Sequence, residues 1–213
     1  MTYNLINQVC TATDLIEGNF ENSFHVKDIL LDNDFGLGTF NHLNGEMIIY
    51  DGKIYRSKYN GEIEEILHDR SPFIIATKFK QEKPILVYDL NDEQIKNKIK
   101  LEINQKLIYA VKIEGLFSIV NLRSSAPIKK PYPNFTEILK ESNNYKVVDI
   151  EGVIVGFYFP LSFEKISTSG FHFHFIDNKR KIGGHVVDFK IKKAQIFLDK
   201  KTHFNLSLPT LGS

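Results

Sequence analysis

Two dipeptides, Asn44-Gly45 and Asp51-Gly52, divide residues 35–59 into three short runs rich in β-branched and aromatic side chains. An Asn-Gly or Asp-Gly pair reaches the positive φ angles of a two-residue hairpin turn at little steric cost, so such pairs between apolar runs mark antiparallel strands. Residues 35–43, 46–50 and 53–59 are therefore expected to form a meander. The same pattern recurs downstream. Runs over 107–113 and 116–122 flank Glu114-Gly115 as a further hairpin, and 147–159 is apolar along much of its length. It reads as a long buried strand with Gly152 and Gly156 at bulges or bends. Closely spaced runs over 171–176, 185–191, 194–198 and 203–208 then suggest a barrel or closed sheet in the second half. Helices are few. Residues 91–102 place Ile95, Ile99 and Leu101 on one side behind Asn91 as N-cap, and a second short helix is expected over 135–141. Neither repeats nor a flexible linker interrupt the chain, so two domains would share a continuous sheet.

Composition bounds the reading without choosing a function. The 213 residues, 42% of them hydrophobic, suffice for one large core or two modest ones. A net charge of +1, from 27 basic and 26 acidic side chains, offers no electrostatic case for a nucleic-acid partner. Lys129-Lys130 and Lys179-Arg180-Lys181 sit among turn residues and read as solvated loops. Cys10 is the sole cysteine, which rules out an internal disulfide and any Cys-x-x-Cys motif. Residues 1–5 lack a charged leader, and no apolar run is long enough to span a bilayer. A cytoplasmic protein with no membrane partner is expected.

The residues that carry chemistry lie in Gly170-Phe171-His172-Phe173-His174-Phe175-Ile176-Asp177 and in Gly183-Gly184-His185. On a strand, residues two apart face the same way, so His172 and His174 project together. His185 follows a polar, turn-forming stretch and can return on the neighbouring antiparallel strand. Three converging imidazoles without a fourth protein ligand suit a catalytic zinc or similar ion that keeps a position open for substrate. His25, His42, His68 and His203 have no partner at ligand spacing and read as surface or structural residues. Gly36 and Gly38 lack the third glycine of a phosphate-cradling loop and read as strand glycines that permit close packing.

Several blocks in order carry a resemblance to a known family. They are Asp34-Phe35-Gly36-Leu37-Gly38-Thr39-Phe40-Asn41, Leu43-Asn44-Gly45-Glu46, Asp51-Gly52, Lys130-Pro131-Tyr132-Pro133 and Gly152-x-Ile154-Val155-Gly156-Phe157, followed by the histidine run and Gly183-Gly184-His185-Val186-x-Asp188-Phe189. Together they resemble the alpha-acetolactate decarboxylases, collinearly over nearly the whole chain. The resemblance implies an α+β, mostly β fold. A mixed β-sheet over residues 1–115 would join, through a shared or continuous sheet, a β-barrel over 116–213 that carries the metal site. It further implies one zinc ion per chain on His172, His174 and His185, 2-acetolactate as substrate, and a homodimer as the expected assembly.

The implied reaction gives the other matched positions a role. Loss of carbon dioxide from 2-acetolactate leaves an enediolate whose charge a metal stabilises as a Lewis acid. Arg123, in Asn121-Leu122-Arg123-Ser124, matches the family's active-site arginine, whose planar fork suits the substrate carboxylate or hydroxyl. Glu46 matches an active-site glutamate suited to relaying a proton, and Thr39 is expected to line the pocket by hydrogen bonding. Taken alone, Arg123 and Glu46 read as surface residues; the resemblance reverses both. A further glutamate, which the family carries in its C-terminal tail, has no counterpart here, since no acidic residue follows Asp199. The competing class is a cupin-like metal dioxygenase or isomerase with Asp177 completing the metal sphere. A β-rich binding module with structural histidines is the non-enzymatic alternative.

Overall fold

The computed structural model describes residues 3–208. In chain order the strands are β1 (Leu5–Val9), β2 (Phe35–Thr39), β3 (Glu46–Tyr50), β4 (Lys53–Ser57), β5 (Ile63–Glu65), β6 (Phe73–Thr77), β7 (Ile85–Tyr88), β8 (Ile108–Ser124), β9 (Asn143–Phe159), β10 (Gly170–Asp177), β11 (Gly183–Lys201) and β12 (His203–Ser207). The helices are α1 (Ala12–Ile16), α2 (Val26–Ile29), α3 (Asp92–Glu102) and α4 (Phe135–Glu141). Among the described residues no helix is long and apolar enough to cross a membrane.

One sheet has the order β12-β1-β6-β2-β3-β4-β5. Its only parallel pair among the described residues is β1 with β12, which makes the sheet mixed. The β3–β4 turn follows from sequence: Asp51 and Gly52 both have positive φ, 53° and 71°, as a two-residue primed turn requires. Asn44-Gly45 behaves differently from expectation. Strand β2 stops at Thr39 and residues Asn41–Leu43 form a 3-10 turn, because Leu43 leaves the sheet to bury itself beside Phe20 and Ile138. The hairpin closes on the Thr39–Glu46 pair instead, which places Glu46 at the first position of β3.

The second sheet has the order β10-β9-β8-β11-β7, and β10 also pairs with β11, so four strands return on themselves. Three residue pairs make that closure: His174 with His185, Phe175 with Gly184, and Ile176 with Gly183. The expected hairpin at Glu114-Gly115 is absent, because β8 runs straight through it. Gly115 is there for another reason: a Cβ would overlap the Lys193 carbonyl and lie 2.6 Å from the Ala194 Cα on β11. Gly152 and Gly156 likewise are neither bulges nor bends. They keep regular partners on β8, and the rings of Phe175 and Phe173 occupy the space their side chains would fill. The runs 185–191 and 194–198 are one strand, and the break in their alternation comes from register shifts between Val186 and Asp188 and between Lys190 and Lys193, as bulges produce.

Strand β8 is unbroken across residues 115 and 116, β7 joins the second sheet, and β12 returns to the first. Alternation along the strands sorts the core into layers. Leu37, Ile48 and Ile75 of the mixed sheet pack against Ala110, Val153 and Phe157 of the second. Met47, Ile49 and Ile74 face the other way and pack on Val26 and Ile29 of α2. Helix α3 starts as expected, with Asn91 and Gln94 capping each other reciprocally; Ile95 and Ile99 are buried, whereas Leu101 is 87% exposed. Two residues past Ile99, it has turned about 200° around the helix and away from the core.

Candidate active site

Register brings the site together. His172 and His174 share a face of β10, His174 pairs with His185 on β11, and His185 pairs on its other side with Arg123 of β8. The three ring centroids stand 5.1, 5.1 and 5.3 Å apart, and one nitrogen of each ring lies within 4.8 Å of the other two. From the mixed sheet, the first residue of β3 reaches the same place: Glu46 Oε2 is 3.6 Å from His174 Nε2.

Hydrogen bonds determine how His174 presents itself. Its Nδ1 is 2.8 Å from the Met47 carbonyl, which only accepts, so Nδ1 carries the proton and the Nε2 lone pair is directed into the site. That Nε2 is buried and has no hydrogen-bond partner among the described residues, and Glu46 is too far to supply one. His172 Nδ1 is 3.2 Å from the Thr168 hydroxyl. All three rings stay neutral. Burial pushes His172 down to about 4, with Arg123 adding to the effect. Burial and the neighbouring imidazoles hold His174 and His185 well below the ordinary histidine value. Three neutral imidazoles, whose donor nitrogens lie within 4.8 Å of one another, form a donor set that fits a divalent metal.

The carboxyl opposite is tuned in the other direction. Glu46 is largely buried, and burial pushes it up to about 7 against the pull of Arg123 and a backbone N–H from Ser125. It therefore exchanges its proton near neutrality, as an acid–base group must. A cavity of about 380 Å³ opens onto these groups, walled on its apolar side by Leu43, Phe73, Phe135, Leu139 and Phe171. Such walls keep water scarce and so strengthen each electrostatic contact inside.

All six sequence-derived positions, His172, His174, His185, Arg123, Glu46 and Thr39, line this cavity. Thr39 does so with its hydroxyl already spent: it donates to the Gly45 carbonyl at 2.9 Å, fixing the turn that delivers Glu46. Ser125 and Thr168 line the cavity too and were not foreseen. Ser125 had a faint signal, two positions after Arg123; Thr168, in a connection before β10, had none. Asp177 is spent elsewhere. Its carboxylate accepts from the backbone N–H groups of Lys179, Lys181 and Ile182, so the carboxylate a cupin-like site needs is committed to a turn. His42 bonds the Tyr132 hydroxyl at the surface and His203 that of Thr202; neither lines the cavity.

These features define a class: a protein of one mixed and one antiparallel β-sheet, with three metal-competent imidazoles facing a carboxyl and a guanidinium across an apolar cavity. Residues 6–213 match the sequence model of the family "Alpha-acetolactate decarboxylase". The chain is 36% identical over 210 residues to the alpha-acetolactate decarboxylase of Bacillus subtilis strain 168, covering 96% of this chain and 81% of that one. It is 31% identical over 212 residues to that of Methanosarcina mazei, covering 98% and 74%. The crystal structure of the Bacillus subtilis enzyme superposes with a TM-score of 0.95 at 34% identity, over 98% of this chain and 90% of that one. A Staphylococcus aureus protein of unknown function, similar to alpha-acetolactate decarboxylase, superposes with a TM-score of 0.94 at 30% identity, over 97% and 90%. The chain belongs to the alpha-acetolactate decarboxylase family and is an enzyme, a decarboxylase of acetolactate.

Proposed function

We propose that the enzyme converts 2-acetolactate to acetoin and carbon dioxide in this cavity, with one zinc ion held by His172, His174 and His185. The observation that carries the reading is the buried Nε2 of His174, without a hydrogen-bond partner among the described residues and set among three imidazoles held neutral. When bound there, a divalent ion supplies Lewis-acid stabilisation of the negative charge that develops as carbon dioxide leaves.

The chain's own residues do the rest. The planar guanidinium fork of Arg123 can take both oxygens of the substrate carboxylate and set that group where it departs. The carbon–carbon bond breaks, its electron pair stays on the carbinol carbon, and one proton must arrive there. Glu46, balanced near neutrality on the opposite sheet, holds that proton at its carboxyl oxygen and passes it on. Thr39 fixes the turn before Glu46, the Ser125 backbone N–H holds its carboxyl, and the aromatic and leucine walls exclude competing water.

Purified protein given racemic 2-acetolactate should release acetoin and carbon dioxide in equal amounts with no oxygen uptake; oxygen consumption would mark the cupin-like chemistry instead. A homodimer in the cytoplasm is the proposed setting, with light scattering of the purified chain as the check on assembly.

A further inference from the structure

Outside the lining of the cavity, three hydroxyls from three strands meet at one backbone carbonyl. Ser57 is the direct cross-strand partner of Glu46 at the end of β4. Ser124 follows Arg123 at the end of β8, and Tyr145 lies opposite Leu122 on β9. The carbonyl is that of Gly183, two residues before His185 on β11. Ser57 donates to it at 2.6 Å and the Tyr145 hydroxyl donates to it as well. Ser124 Oγ sits 2.9 Å from the Tyr145 hydroxyl and 3.1 Å from Ser57 Oγ. Two donors fill the two lone pairs of the carbonyl, and Ser124 gives its one proton to the nearer of them, the Tyr145 oxygen. Ser57 and Ser124 are fully buried.

The slot for Tyr145 is built from backbone. A Cβ at Gly61 would stand 2.7 Å from the tyrosine ring, and one at Gly184 would overlap its hydroxyl while lying 3.2 Å from Ser124 Oγ. Both glycines leave room for this one side chain. The knot thereby ties the strand pair that carries Glu46 to the strands that carry Arg123 and His185, across the junction of the two sheets. Hydrogen bonds are directional, so the knot constrains the geometry of that junction as well as holding it together.

We infer that Ser57, Ser124 and Tyr145 are positioning residues for the decarboxylation, their shared hydrogen bonds on the Gly183 carbonyl setting the distance from Glu46 to Arg123 and His185. This inference rests on the functional reading above, in which Glu46 delivers the proton. Tyr145→Phe keeps the ring in its slot and removes one donor, so kcat should fall about tenfold, the scale of a sub-ångström misplacement, while KM changes little. Ser57→Ala, which removes the other donor, should behave alike; Ser124→Ala leaves both donors on the carbonyl and should cost less.

The deciding experiment is to measure kcat and KM for Tyr145→Phe and Ser57→Ala alone and in the Glu46→Gln background, with zinc content and unfolding midpoint on the same samples. If the hydroxyls act by placing Glu46, their loss lowers kcat in the unaltered chain and has little further effect once Glu46 cannot transfer a proton. An equal loss in both backgrounds, or undiminished kcat in the single variants, overturns the inference. Should Tyr145→Phe fail to fold, Ser57→Ala against Ser124→Ala decides alone: equal activities overturn it. No acetoin from the unaltered, zinc-loaded chain would instead refute the functional reading itself.

Discussion

Replacing Glu46 by Gln should make the metal-free protein more stable and the enzyme much slower. Burial raises the Glu46 carboxyl from 4.5 to about 7, and its side chain is only 15% exposed, so solvent screens little of the effect. At about 1.36 kcal/mol per unit, the displacement amounts to roughly 3 kcal/mol. The sign follows from which state releases its proton first. Below pH 4.5 the carboxyl is protonated folded or unfolded, and nothing is lost. As pH rises, the unfolded chain ionises first, so folding is progressively disfavoured until the folded carboxyl ionises near pH 7. A glutamine cannot ionise and still accepts the Ser125 N–H. Urea unfolding of chelator-treated samples should therefore show the two proteins nearly equal at about pH 4.5 and the variant ahead by about 3 kcal/mol near pH 8. Turnover of the zinc-loaded variant should drop about a hundredfold, the usual worth of a positioned acid or base. Parallel stability profiles for the two proteins would refute the buried setting, and undiminished turnover the proton-relay role. Loss of zinc as complete as in a histidine variant would make Glu46 a support of the metal instead.

The histidines should impose the opposite slope. His172 is pushed down to about 4, so as pH falls from 6.5 the unfolded chain takes up protons that the folded chain refuses, and metal-free stability declines toward pH 4; His172→Gln should flatten that decline by about 3 kcal/mol in urea titrations. Arg123→Lys keeps the charge and loses the fork, so kcat/KM for acetolactate should fall about tenfold or more. Gly115→Ala forces a methyl against the Lys193 carbonyl and Ala194 of β11 and should cost about 2 kcal/mol of stability by chemical denaturation; an unchanged midpoint would show that the strands can separate there.

What the sequence revealed depended on how local each cause was. The Asp51-Gly52 turn and the Asn91 cap are decided by neighbours within a few residues, and both formed where the dipeptide and the capping pattern placed them. The metal-competent triad was legible because alternation fixes His172 with His174, and one short turn returns His185 beside them. Gly115 misled because a glycine that admits a neighbouring strand looks the same in sequence as one that makes a turn. The glycines under Phe173 and Phe175 misled for the same reason. Contacts between distant segments left least trace. β12 pairs with β1 from the far end of the chain, and the hydroxyls of Ser57, Ser124 and Tyr145 meet from three strands whose sequences carry no mark of it. Arg123 and Glu46 would have passed for surface residues by pattern alone, and the family resemblance placed them where the register now brings them, facing one cavity.

The most direct test of the central claim, that three neutral imidazoles hold the ion on which decarboxylation depends, is metal content and acetoin formation measured together through one cycle of chelation and zinc readdition. One zinc per chain is expected, with loss of acetoin and carbon dioxide production on its removal, recovery on its return, and neither zinc nor activity in a His172→Ala, His174→Ala double variant. Full activity in rigorously metal-free protein, or stoichiometric zinc retained by the double variant, would contradict it.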